Sequence, residues 1–248
     1  MKHVVFVVGN YYPHYSAVGN CAEKIISLLK DEYKISVVSI KSSKDVKNNE
    51  KFNGYNIHRV ESAYQRKLNN ILPTSSFFSK MNLFRVRLLG LIKFLFRSES
   101  IDPDFVNAYL NELIVINNQS KIDVLLPLVF PFESVMASIA FQDKANSNCS
   151  IIPYLFDNFS KSASLHRFNI NRQLKFSRNE RLEKLMLARA SKVFAMHPLQ
   201  SHFKSTKTET EQSNILYLEH PLLLKRNLPT PSKDSDKVTF TYTGGLFR

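Results

Sequence analysis

The sequence predicts an α/β protein: a Rossmann-like, doubly wound parallel sheet with flanking helices. Three observations predict it. Short runs rich in Val, Ile and Leu recur along the chain, each too continuously apolar for a sheet face open to water. Between them lie segments with apolar residues at steps of three and four. The two kinds of segment alternate almost throughout, and parallel strands need crossovers that helices supply.

The first strand is His3 to Val8, a valine-rich run stopped by Gly9, Asn10 and Pro13. Val18 to Lys30 follows as a helix, with Ile25, Leu28 and Leu29 at helical spacing. Lys34 to Ile40 is the second strand; Asn53-Gly54 marks a turn and Ile57 to Val60 a third strand. Phe77 to Arg97 reads as a long amphipathic helix. Asp102-Pro103 opens another, with a capping carboxylate and a proline at the first helical position. Ile122 to Val129 is a strand whose Pro127 cannot donate a ladder hydrogen bond. Then come a helix (Glu133 to Phe141), a strand (Ile151 to Phe156), a charged helix (Asn171 to Ala190) and a strand (Lys192 to Met196). A short helix at Leu199 to Lys204 and a strand at Ile215 to Leu218 close this series. Residues 228–237 are rich in Pro, Ser and charge and read as a linker. Val238 to Thr243 begins a new strand, and Gly244-Gly245 a loop. The expected organisation is one domain over 1–227, a linker over 228–237, and the opening of a second, incomplete domain over 238–248.

With 44% hydrophobic and 22% charged residues, the 248-residue chain can build a core, which excludes global disorder. The formal net charge of +13 favours anionic partners: nucleic acid, acidic membrane or phosphorylated ligands. Cys21 and Cys149 stand far apart, so no metal-ligand spacing and no disulfide framework is present, and a reducing, cytoplasmic compartment fits. The apolar start is too short for a signal peptide, and no stretch approaches the ~18 apolar residues of a bilayer span.

Four segments, in order, resemble the family-4 glycosyltransferases of the GT-B architecture. VVFVVGNYYPHYSAVGNCAEKIISLL resembles that family's opening strand, glycine-containing loop and first helix. LEKLMLARASKVFAMH resembles its helix-strand pair, LEHPLL the approach to its interdomain linker, and VTFTYTGGL the first strand and glycine loop of its C-terminal domain. The region from about residue 62 to 120 matches nothing in the family. The resemblance implies the N-terminal, acceptor-side half of a GT-B enzyme. Its reaction is a retaining transfer of a sugar from a nucleotide-sugar donor, with no metal or other cofactor. It also implies a glycan or lipid-linked acceptor, as in assembly of bacterial surface polysaccharide. The family often has a His where this chain has Phe156 followed by Asp157. The family's C-terminal acidic motif that grips the donor is absent from these 248 residues, so this chain alone is expected to be inactive.

Candidate residues gather at strand ends. Gly19, at the start of the first helix, permits close backbone approach, either to an acceptor beside Asn20 or simply to the sheet. The dinucleotide pattern G-x-G-x-x-G is absent. Asp157 follows a strand, where a carboxylate can orient or deprotonate an acceptor hydroxyl, or cap a turn. His197 and His220 also end strands and precede proline; His197 suits the acceptor side and His220 the donor side, against the alternative of structural histidines. Glu133 follows a strand too, although a first-turn Glu also simply favours the helix dipole. The resemblance, together with exposed N–H groups and a bidentate guanidinium, points to Gly244, Gly245 and Arg248 for the donor diphosphate.

The helix from Phe77 to Arg97 holds Lys80, Arg85, Arg87, Lys93 and Arg97 and no acid. Phe77, Met81, Phe84, Leu88, Leu91 and Leu95 form a stripe between them. That layout suits an interfacial helix on an anionic membrane surface, placing the protein peripherally on the inner face of the plasma membrane; the alternative is a helix packed on the sheet. Competing functions are a sugar-nucleotide epimerase of the same architecture and a non-catalytic membrane-associated binding domain. A nucleic-acid binder lacks any recognised motif here.

Overall fold

The computed structural model describes residues 1–71, 77–97, 100–145, 147–162, 169–206 and 214–222. Its strands are β1 (His3–Asn10), β2 (Lys34–Ile40), β3 (Asn49–Phe52), β4 (Tyr55–Val60), β5 (Val124–Val129), β6 (Ser150–Ile151), β7 (Tyr154–Leu155), β8 (Val193–Met196) and β9 (Ile215–Leu218). Its helices are α1 (Ala17–Leu29), α2 (Ala63–Ile71), α3 (Phe77–Phe96), α4 (Pro103–Gln119), α5 (Glu133–Lys144), α6 (Asn169–Arg189) and α7 (Gln200–Thr206), with a 3₁₀ turn at His197–Leu199.

The strands form one sheet in the order β3-β4-β2-β1-β5-β7-β8-β9, with β6 also on β5. Every pairing is parallel except the β3–β4 hairpin. β1 lies at the centre: Val5, Phe6, Val7 and Val8 are fully buried, as the unbroken apolar run requires of a strand covered on both faces. From β1 the chain builds outward through β2 and β4. It then returns to β5 on the other side of β1 and builds outward again. This reversal makes the carboxyl ends of β1 and β5 a topological switch point, the place where open α/β sheets bind ligands.

Local chemistry fixes the helix starts. The Ser16 hydroxyl caps α1 by accepting from the Gly19 amide at 3.0 Å. Asp102 caps α4 by accepting from the Asp104 amide at 3.1 Å, with Pro103 first in the helix.

Three elements differ from the sequence expectation. The single strand expected over Ile151 to Phe156 is two short strands, β6 and β7. The β5 register places Pro127 opposite Pro153, between the Leu125–Ile151 and Leu128–Tyr154 pairs. Neither proline has an N–H to donate, so the ladder breaks there. β3 is short, polar and at the sheet edge, and carries no apolar signal; the Asn53-Gly54 turn, with φ of 48° and 93°, folds it onto β4. α2 is a polar helix with Asn69 as its buried residue. The linker at 228–237 and the segment 238–248, with Gly244, Gly245 and Arg248, lie outside the described residues.

Candidate functional site at the carboxyl edge of the sheet

The switch point is built by close backbone approach. A Cβ on Gly19 would lie 2.3 Å from the Asn10 carbonyl oxygen, so only glycine lets α1 start this close to the end of β1. Gly9 does the same between the ends of β1 and β5: a Cβ there would meet Pro131 Cδ at 3.1 Å and the Phe130 carbonyl at 3.2 Å. Phe130, just past the end of β5, holds a φ of 86°, a left-handed conformation that non-glycine residues rarely adopt.

Several of the sequence candidates meet on this edge. Gly19 is buried in the first turn of α1, and Asn20 beside it is exposed. Cys21, next in that turn, lies 3.8 Å from Nε2 of His220. The His220 ring meets the Phe156 ring edge-on, with centroids 6.2 Å apart. Phe156 in turn stacks on Tyr154, whose hydroxyl donates to the Glu219 carbonyl at 3.4 Å. Residues 219–222 after β9 therefore pass back over the edge toward α1. Asp157 follows Phe156, is exposed, and makes no hydrogen bond or ion pair among the described residues. His197 is exposed, stacks near Tyr217 at 6.2 Å and lies 3.9 Å from the Glu219 carboxylate, an attraction that requires the imidazolium. Burial raises the Cys21 thiol, so it stays a thiol and not a nucleophilic thiolate at neutral pH.

Two buried polar clusters brace the edge, and the sequence reading missed both. Glu23 on α1 accepts from the hydroxyls of Tyr11 and Tyr55, the latter at 2.6 Å, and the two phenols lie 2.6 Å apart. Burial, and then the hydrogen bonds to Glu23, push both phenols well above the ordinary tyrosine range, so both remain protonated donors. This cluster ties the loop after β1 to β4. On the other flank, the fully buried Glu183 carboxylate accepts from the Ser160 amide at 2.9 Å, the Ser160 hydroxyl at 3.0 Å and His202 Nε2 at 3.2 Å. Burial alone would raise this carboxyl, but the bonds from His202 and Ser160 outweigh it and hold the group below its ordinary value. Glu183 thereby anchors the loop that carries Asp157 to α6. Its signal was a glutamate flanked by apolar residues at helical spacing, Leu182, Met186 and Leu187.

Glu133 takes a third position. It stands in the first turn of α5, as its sequence suggested, and its carboxylate also accepts from the Asp102 amide at 2.7 Å. Burial raises its carboxyl to about 7, with the Asp102 carboxylate adding to the rise and Arg97 opposing it.

Among the basic residues of this segment, Arg97, just past the end of α3, differs from the others in its surroundings. It is half-buried and pairs with Asp102 at 2.8 Å, because 97 falls on the inward side of the helix. Lys80, Arg85, Arg87 and Lys93 are exposed. A cavity of about 530 Å³ lined by Gln142, Asp143, Asn148 and Arg189 lies at the opposite, amino edge of the sheet and holds none of the candidate residues. Among the described residues there is no group of three or more His, Cys, Asp or Glu able to hold a metal ion, and no helix long and apolar enough to cross a membrane.

No protein-family model matches the chain, and no curated protein does. Among solved structures it is similar to sucrose-phosphate synthase from Thermosynechococcus elongatus, at 10% identity over 83% of this chain and 45% of that one, with a TM-score of 0.47. It is also similar to the catalytic domain of starch synthase IV from Arabidopsis thaliana, bound to ADP and acarbose. There the identity is 9% over 88% of this chain and 51% of that one, with a TM-score of 0.48. A third is the glycotransferase of kitacinnamycin, at 12% identity over 96% and 55%, with a TM-score of 0.44. The chain spans about half the length of these structures.

Proposed function

We propose that the chain is the acceptor-side half of a glycosyltransferase that moves a sugar from a nucleotide-sugar donor, with retention, to a glycan acceptor carried on a lipid. Assembly of bacterial surface polysaccharide at the cytoplasmic face of the membrane is the setting this reading implies. The observation that carries it is the carboxyl edge of the sheet, where Asp157 follows β7 as an exposed carboxylate with no hydrogen bond or ion pair among the described residues and where His220 returns to Cys21 on the α1 turn. The ordered resemblance of four sequence segments to the GT-B enzymes supports the same reading.

In this scheme the acceptor saccharide lies over the first turn of α1. The exposed side chains of Asn20 and His197 offer hydrogen-bonding groups to its hydroxyls. Asp157 accepts the hydrogen bond of the reacting hydroxyl and directs its oxygen to the face of the anomeric carbon that the diphosphate leaves; as the bond to the diphosphate breaks and the nucleoside diphosphate departs, the new glycosidic bond forms and Asp157 takes the hydroxyl proton. Glu183 holds the backbone of the loop that carries Asp157 through Ser160. His220, with Gly244, Gly245 and Arg248 from the following segment, serves the donor diphosphate.

The test is a transfer assay on the native protein, with a panel of labelled nucleotide-sugars and a lipid extract of its source cell. Label moving into a lipid or saccharide product supports the reading. Epimerisation of the donor with no acceptor present, or no turnover with any donor, contradicts it.

A further inference from the structure

We infer that the outer face of α3 is a docking surface for an anionic lipid bilayer, placed so that a lipid-carried acceptor is presented to the carboxyl edge of the sheet. The presentation of an acceptor rests on the transferase reading above; the docking itself does not.

α3 has two opposite faces. At about 100° per residue, Leu83, Val86, Gly90, Phe94 and Arg97 fall on one side. That side is occupied. A Cβ on Gly90 would come within 2.6 Å of the Tyr64 ring of α2. Phe94 receives the buried Lys175 ammonium of α6, both at its carbonyl and 4.4 Å above its ring. Arg97 is held by Asp102. The opposite side carries Phe77, Met81, Phe84, Leu88, Ile92 and Leu95, all exposed; Phe77 is 76% and Phe84 66% accessible. No residue of the helix is buried. Twenty residues at 1.5 Å each make this apolar strip about 30 Å long. So large a contiguous apolar face on a soluble domain marks an interaction surface.

Charge identifies the occupant. Lys80 and Arg87 border the strip on one side, Lys93 on the other, and Arg85 stands within it. These four make no ion pair among the described residues, α3 holds no acid, and the chain carries +13. Two copies joined through this face would bring eight such cations together with no acid from either helix. An anionic bilayer accepts the apolar side chains and neutralises the cations at once.

Topology places the strip usefully. α2 and α3 are inserted between the end of β4 and the start of α4. β4 ends at the carboxyl edge, and α4 begins there, as the bond between Asp102 and Glu133 shows. The helical pair therefore stands on the same edge as Asp157 and the α1 turn.

The test uses the 248-residue chain with vesicles of phosphatidylcholine alone and of phosphatidylcholine mixed with phosphatidylglycerol, without any donor sugar. Cosedimentation with the anionic vesicles is expected, weakened by high salt. Each Lys or Arg near such a surface is worth about fivefold in affinity, so Arg85→Gln, Arg87→Gln and Lys93→Gln together lose on the order of 100-fold. Phe84→Ser with Leu88→Ser also lowers binding. All five residues are exposed, and an unchanged melting curve verifies that each variant folds. Undiminished binding by either variant overturns the inference. So does a wild-type chain that ignores vesicles but dimerises in the ultracentrifuge until Phe84→Ser is introduced. Transfer to a water-soluble acceptor by a protein that never binds vesicles sinks the docking surface and leaves the transferase reading standing.

Discussion

Replacing Gly19 by Ala separates a packing role from a ligand-contact role at the first turn of α1. The added Cβ would stand 2.3 Å from the Asn10 carbonyl oxygen, and real Cβ contacts essentially never fall below 3.0 Å. The helix must therefore withdraw from β1 by about 0.7 Å or more, a backbone displacement and not a side-chain adjustment. Overpacking of this kind costs about 1–3 kcal/mol, and disturbing the Ser16 cap costs about 1 kcal/mol more. Against this, alanine gains up to about 1 kcal/mol of helix propensity over glycine. The steric cost wins, leaving a net loss of about 2 kcal/mol. For a chain of this size each kcal/mol lowers the melting temperature by about 2–4 °C, so Gly19→Ala should melt about 4–8 °C below the wild type. Thermal unfolding followed by circular dichroism reads this directly. An unchanged or raised melting temperature refutes the packing argument; if sugar transfer were lost as well, Gly19 would belong to the ligand and not to the sheet.

Two carboxylates give pH signatures of opposite sign. Glu183→Ala leaves the Ser160 donors and His202 without their shared acceptor inside the protein. It should cost about 3 kcal/mol in denaturant titration at neutral pH. Because the Glu183 carboxyl is lowered in the fold, its contribution is present above the ordinary value of 4.5 and disappears as pH falls through the folded value; the variant should lack that part of the acid loss. Glu133 runs the other way. Its folded value of about 7 exceeds 4.5, so the fold binds its proton more tightly, and stability declines as pH rises from 4.5 through about 7. Glu133→Gln should flatten that decline, worth on the order of 1–3 kcal/mol, and a wild-type slope retained in the variant would contradict it.

The sheet was legible where apolar runs are continuous. β2 falls at the expected residues and β1 runs only two residues further, because burial on both faces leaves no polar interruption to misread; the edge strand β9 also falls at the expected residues. What escaped depends on pairs of distant residues. The break between β6 and β7 needs Pro127 opposite Pro153, a fact of register that neither proline shows alone. The cluster of Tyr11, Glu23 and Tyr55 needs the loop after β1 to reach the start of β4, across 44 residues of sequence. On α3, spacing located the apolar stripe but not which side the rest of the protein would cover. Leu91 and Arg97 turned partly inward, while Ile92 and Leu89 joined the exposed face. The candidate site was legible as a set of strand ends, since ligand-binding residues of open α/β sheets stand there. Its bracing by Glu183, Ser160 and His202 was not, since those residues come from three separate segments.

The most direct test of the central claim is the rate of sugar transfer by the native protein carrying Asp157→Asn, beside the wild type, with the same donor and acceptor. Asn keeps the size of the side chain but cannot take a proton, and Asp157 supports no other described contact. The account predicts an unchanged melting temperature with turnover reduced by about 100-fold or more, the span general-base catalysis supplies. Full transfer by the variant would remove Asp157 from the reaction and, with it, the assignment of the carboxyl edge as the acceptor site.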